Sequence, residues 1–199
     1  MADPGFRVRR LIFLLLALLA FGIGGAGQAT AAGTTPDAAQ RLQAIDQALL
    51  AQLNEVRADH GLRPLVLSNA LQRAAAYQSQ SMLTGGFFAH DAPNGPTFNS
   101  RLKRFYRPAA GRGGWSVGEN LLYTSGGLDA GEAIQVWMGS PGHRKNMLDP
   151  SWREVGVAAM RASSAGGIFA GGATWVVTMD FGVRPGAQAA KRTTASKPS

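Results

Sequence analysis

The chain has 199 residues, 20 Lys and Arg against 12 Asp and Glu for a net charge of +8, and no cysteine. That length suits one domain with tails and is enough to bury a hydrophobic core. The absence of cysteine excludes disulfides, thiol nucleophiles, thiolate metal sites and lipid attachment through cysteine, so packing alone must hold the fold. The basic excess forms no basic helix or aromatic-studded strand motif, and nucleic acid is not expected as a partner.

At the N-terminus, Arg7, Arg9 and Arg10 precede an apolar run from Leu11 to Ile23, and Ala29-Thr30-Ala31 offers small residues for cleavage. This is the layout of an export signal. The run falls short of the about 20 residues that cross a membrane. Residues 1–31 are therefore read as a signal peptide, with no stable membrane span after its cleavage; an uncleaved anchor is the alternative. The protein is expected to be secreted, extracellular or periplasmic. Without residues 1–31, 17 basic and 11 acidic residues remain, a charge of +6.

Residues 32–36 read as a linker, 37–185 as the folded domain and 186–199 as a disordered basic tail. Leu42, Ile45, Leu49, Leu53 and Val56 recur at three- and four-residue steps, which predicts an amphipathic helix from Asp37 to His60. Gly61 suits the left-handed cap and Pro64 stops continuation. Ser68 is placed to cap a second helix carrying Leu71, Ala74, Ala75 and Met82, which Thr84-Gly85-Gly86 ends. Phe87 to Tyr123 reads as a long loop anchored by Phe98, Phe105 and Tyr106. A third helix is predicted over Leu128 to Met138. Val155 to Met160 and Trp175 to Phe181 are predicted as an antiparallel strand pair. In the second strand Trp175, Val177, Met179 and Phe181 share one face, and Val176, Thr178 and Asp180 the other. Helices beside an antiparallel pair indicate an α+β layered domain.

The stretch "WMGSPGHRKNMLDPSWREVGVA", residues 137–158, carries the first chemical candidate. Ser140 before Pro141 has the form of an N-cap followed by proline at the first helical position. A short helix to about Leu148 would hold His143 in its first turn, where the dipole disfavours imidazolium and keeps the ring neutral. A lone histidine in such a turn is more often structural, but "GFFAHD" adds His90 beside Asp91 and "SVGENLLY" adds Glu119. Two imidazoles and a carboxylate suit zinc or another borderline divalent ion. There is no His-Glu-x-x-His helix, no Gly-x-Ser-x-Gly elbow and no glycine-rich phosphate loop, and no organic cofactor is expected. Ser140 spent as a cap is a poor nucleophile for His143. His60 is read as a helix-terminal residue, Glu55 and Glu132 as solvated, and Trp137, Trp152 and Trp175 as core.

The ordered set "LNEVRADHGLRPL", "FFAHD", "GENLL", "VWMGSPGHRKNMLDPSWREVGVA" and "WVVTMDFG" resembles the CAP superfamily, named for cysteine-rich secretory proteins, antigen 5 and pathogenesis-related proteins. The form is similar to its compact bacterial SCP-like branch, over roughly Ala38 to Val183. The resemblance implies a three-layer α-β-α sandwich with a central antiparallel sheet. It also implies a central cavity built from two histidines and two glutamates, with a divalent metal on the histidines in several members. Matched by motif, His90 and His143 are the implied metal ligands, and the implied cavity residues are His90, Glu119, His143, Asn120 and Ser140. Ser140 stands where the family's second glutamate is usual, so the tetrad is incomplete. Asn54, Arg57, Arg144, Asn146 and Trp152 match scaffold positions, and Asn120 is expected to steady the cavity turn. The implied function is a secreted binding module with a cleft for a lipid, glycan or peptide. A metal-assisted hydrolase with Glu119 as general base is the alternative, and a surface protein that uses the fold only as a scaffold is a third possibility.

Overall fold

The computed structural model describes residues 38–107 and 115–184; the expected signal peptide, linker and basic tail lie outside the described residues. Among the described residues five α-helices and four strands follow in chain order: α1 (Ala38–Asp59), β1 (Val66–Leu67), α2 (Asn69–Gly85), α3 (Phe98–Phe105), β2 (Ser116–Ser125), α4 (Ala130–Gly139), α5 (Pro141–Met147), β3 (Glu154–Ala162) and β4 (Thr174–Val183), with a 3-10 turn over Gly167–Phe169 between the last two strands. The sheet order is β1-β3-β4-β2, with β1 parallel to β3 and the other pairs antiparallel. The α+β class and the α-β-α layering expected from the sequence are both present.

Strand alternation builds the layers. Val155, Val157 and Ala159 of β3 lie opposite Phe181, Met179 and Val177 of β4, and this face packs on Leu49 and Leu53 of α1, Ile134 and Trp137 of α4 and Met147 of α5. The other face carries Val176, Thr178 and Asp180. There α2 lies across β3 and β4, with Met82 and Leu83 against Val176 and Leu121. Ser79 Oγ donates to the Ala158 carbonyl and to Thr178 Oγ1, both at 2.9 Å. Close seating of α2 depends on Gly156, because a Cβ there would enter the backbone of Leu71 and Gln72.

Local signals hold in most places. Gly61 has φ 68°, and Leu62 N–H returns to the Arg57 carbonyl at 2.9 Å, closing the end of α1. His60 Nδ1 lies 2.8 Å from the Val56 carbonyl, as suits a helix-terminal residue. Trp137 and Trp152 are buried and Trp175 packs against the same core. The caps differ from expectation. Ser68 and Ser140 stand at N-cap positions, but neither side chain makes a cap hydrogen bond. The third helix starts two residues later than predicted, because the Asp129 side chain accepts from Glu132 N–H at 2.9 Å and fixes the start at Ala130.

The predicted loop from Phe87 to Tyr123 is corrected in two places. Residues 98–105 form α3, capped by Thr97, whose hydroxyl accepts from Ser100 N–H at 3.3 Å. Residues 116–125 form β2, paired along its whole length with β4 from Ser116↔Val183 to Ser125↔Thr174. Tyr106 is fully buried as expected, with Phe98 and Phe105 partly buried beside it.

Candidate functional site

Glu119 is the centre of the site. Its place in β2 turns its side chain to the α2 side of the sheet, directly opposite Asp180 in register. The carboxylate is 1 % exposed and held at both oxygens. Oε1 lies 2.7 Å from His90 Nδ1, and Oε2 lies 2.5 Å from Arg101 Nη2. Arg101 is equally buried; its Nη1 donates to Gln78 Oε1 at 2.6 Å and to the His90 carbonyl at 2.9 Å. Gln78 in turn donates through Nε2 to the Ala89 carbonyl at 2.6 Å. Side chains from α2 and α3 thus fix both the carboxylate and the backbone that presents His90.

His90 differs in exposure: its side chain is 56 % exposed. Its pKa is raised above the ordinary 6.5, first by the hydrogen bond to Glu119 and against the cost of partial burial. With Nδ1 committed to Glu119, Nε2 is the nitrogen left to face a ligand. The imidazole stands at an open pocket of about 370 Å³ lined by His90, Asp91, Phe98, Asn99 and Glu119. Asp91 Oδ1 accepts from Phe98 N–H at 2.6 Å, closing the loop that forms the rim.

Behind Glu119 lies Asp180, fully buried, with no hydrogen-bond donor facing either oxygen. Burial pushes its pKa well above 3.8, and the neighbouring Glu119 charge pushes it the same way.

The other expected residues lie in or against α5. Asn120, next in the strand, faces α5, where its Nδ2 donates to the His143 carbonyl at 3.0 Å and its Oδ1 accepts from Asn146 Nδ2 at 3.0 Å. Asn120 thus steadies α5, where the motif pointed to the cavity turn. His143 is half-buried in the first turn of α5, and Ser140 joins α4 to α5. Neither residue lines the pocket at His90. Asn54 and Arg57 are scaffold: Asn54 pairs with the backbone of Leu65 at 2.8 and 3.1 Å, and buried Arg57 donates to the Met147 carbonyl at 2.6 Å and to the Asp149 carbonyl at 3.1 Å. Trp152 Nε1 donates to the Asn146 carbonyl at 3.0 Å, while Arg144 is exposed.

The residues expected to hold a divalent ion, His90 and His143, do not line one pocket, and no group of three His, Cys, Asp or Glu at ligand spacing occurs among the described residues.

Sequence reasoning missed three members of the site: Arg101, Gln78 and Asp180. Gln78 falls on the same stripe of α2 as Leu71, Ala74, Ala75 and Met82, a polar residue in a buried row. Asp180 is the acid in an otherwise uncharged strand. Arg101 gave no signal, because "NSRLKR" looks solvated.

This sandwich, with its Gly-Glu-Asn strand and Ser-Pro-Gly-His helix start, defines the class of protein. The chain belongs to the CAP family, the cysteine-rich secretory protein family, whose model matches residues 50–181. It is 30 % identical over 131 residues to the uncharacterized protein YkwD of Bacillus subtilis, a match that takes in 66 % of this chain and 48 % of that protein. It is 26 % identical over 116 residues to the uncharacterized membrane protein YlbC of the same organism, covering 58 % of this chain and 32 % of that one. The chain thus spans about half or less of these relatives' lengths. In fold it resembles an extracellular SCP-domain protein from Bacillus anthracis, with TM-score 0.55 and 24 % identity over 76 % of this chain and 45 % of that one. It also resembles an outer surface protein of Borrelia burgdorferi, with TM-score 0.53 and 17 % identity over 71 % and 94 % of the two chains.

Proposed function

We propose that this chain is an exported CAP domain that binds a small polar ligand, a glycan unit or a peptide side chain, in the open pocket at His90. The observation that carries this is the contrast within one hydrogen-bonded pair: Glu119 is buried, while its partner His90 is 56 % exposed at the pocket. Such a pair holds a ring in one orientation while leaving one nitrogen to a ligand. Phe98 adds an apolar face and Asn99 an amide. A lipid tail would meet an imidazole and two acidic side chains here, so a glycan or peptide is the better match among the family's ligand classes. Export is supported by the signal-like residues 1–31 and by the extracellular protein among the fold neighbours. Among the described residues no helix is long and apolar enough to cross a membrane.

The test is titration of the purified protein with soluble envelope oligosaccharides and short peptides, followed by backbone NMR. Shifts confined to residues 90–99 and 119, and an affinity about 10-fold weaker in His90→Ala, are expected. Ligands that bind without perturbing these residues would refute the pocket assignment.

Hydrolysis is the second reading, and the structure bears on which residue would act. Both Glu119 oxygens are engaged, so a general base here would be His90 Nε2, oriented by Glu119. Activity that survives in His90→Ala would dispose of it.

A further inference from the structure

We infer that a second groove, along α2, binds a short acidic peptide, with apolar residues on its walls and a carboxylate at the arginines of one end. It is distinct from the His90 pocket, and the two share no lining residue. The groove has a volume of about 260 Å³ and follows Tyr77, Ser81 and Gly85, a stripe of α2 at four-residue steps. At the helical rise of about 1.5 Å per residue that stripe is about 12 Å long. The Ala92–Pro96 turn forms the facing wall and is held by two backbone bonds of 3.2 Å, Gly95 N–H to the Ala92 carbonyl and Ala92 N–H to the Pro96 carbonyl. Phe87, whose ring stands against Gly85, marks one end, and Tyr77 marks the other.

At the Tyr77 end the surroundings change from apolar to cationic. The Arg104 guanidinium of α3 sits 5.8 Å from the centre of the Tyr77 ring and 5.3 Å from that of Phe105, and the two rings are 5.6 Å apart. Arg73 precedes Tyr77 by one helical turn on the same stripe. Both arginines are exposed, and no ion pair among the described residues engages either. No acidic residue lines the groove, so its field favours an anion. A peptide suits the walls better than a saccharide. Pro93 and Pro96 offer no N–H, and Ser81 already donates its hydroxyl to the Tyr77 carbonyl at 2.8 Å. The Tyr77 hydroxyl and the Asn94 amide are left as side-chain partners, too few for the hydroxyls of a sugar ring. Apolar side chains need none, and about four extended residues at about 3.3 Å each fill the length.

The experiment is NMR titration of the purified, isotope-labelled protein with a synthetic tetrapeptide library, two apolar positions followed by two glutamates, and with the same library carrying glutamines instead. Amide shifts are expected at Tyr77, Ser81, Gly85, Ala92, Asn94 and Gly95. The glutamate library should bind about 3-fold or more tightly than the glutamine one, and the double variant Arg73→Gln, Arg104→Gln should lose that advantage. Both positions are exposed, so the double variant leaves the core intact. No shift at the groove residues would overturn the inference. Equal affinity for the two libraries, or an advantage that survives in the double variant, would overturn the cationic end. Trigalacturonate shifting the same residues at lower concentration than the peptides would overturn the peptide class in favour of an acidic glycan. Binding that disappears in His90→Ala would place the peptide in the other pocket and overturn the groove. Binding unchanged in that variant supports it, whatever the fate of the ligand proposed at His90.

Discussion

Glu119 holds the most consequential set of contacts at the residue scale. Replacing it with Gln would leave the Arg101 guanidinium buried without a counter-charge, and breaking such a pair costs about 3–5 kcal/mol. Chemical denaturation should report that loss. The His90 pKa should also fall, because the Glu119 hydrogen bond is the largest cause of its rise. An NMR pH titration of the ring checks this; an unchanged His90 midpoint would mean that the pair does not set its charge. His90 and Glu119 were legible because both lie in short motifs that look chemical. Arg101 and Asp180 were not, since an arginine among polar residues reads as solvated and an aspartate near a strand end reads as exposed. Only burial by α2 and by the paired strands makes them members of the site.

Elements were legible where period and stop signals agreed. The long stripe of α1 and the glycine stop of α2 fixed those helices. Two elements hid between Phe87 and Tyr123. In α3, an eight-residue helix, only Arg101 and Leu102 are buried, too few for a period to show. Strand β2 contains Gly-Glu-Asn, which reads as a turn, and it is extended because β4 offers ten partners in register. Its edge is covered rather than open: Asn146 Nδ2 donates to the Glu119 carbonyl at 3.0 Å and Trp137 Nε1 to the Leu121 carbonyl at 2.9 Å. At this scale the seating of α2 is testable. Gly156→Ala forces a methyl into the Leu71–Gln72 backbone and should cost about 3 kcal/mol or prevent folding. A thermal midpoint within a degree or two of wild type would refute the close approach.

For the whole molecule, buried acids give stability a pH dependence. Asp46 of α1 closes the other side of the sheet, accepting from Ala159 N–H of β3 at 2.7 Å. Burial raises its pKa from 3.8 to about 7. The folded state therefore holds more protons than the unfolded chain between these values, and stability falls as pH rises through that window. His90 acts in the same sense at higher pH. Its contribution is full below 6.5 and is lost as pH rises through its folded-state value. Urea midpoints should accordingly decline from pH 5 to pH 8. Asp46→Asn keeps an acceptor for Ala159 and should flatten the lower part of that slope. It should stabilise the protein by about 1–2 kcal/mol at pH 8, after allowance for partial solvation. An unaltered slope would exclude Asp46 as its source.

By itself the sequence determined the helices with long apolar stripes, the β3–β4 pair, the family and the two residues, His90 and Glu119, that meet at the pocket. These depend on local periodicity and short motifs, which survive without knowledge of the fold. The tertiary structure alone decided that β2 is a strand, that Glu119 and Asn120 serve opposite faces of it, and that Arg101 rather than a free carboxylate oxygen faces the imidazole's partner. Each of those outcomes rests on strand alternation, burial or pairing between segments distant in the chain, and none leaves a local mark on the residues concerned.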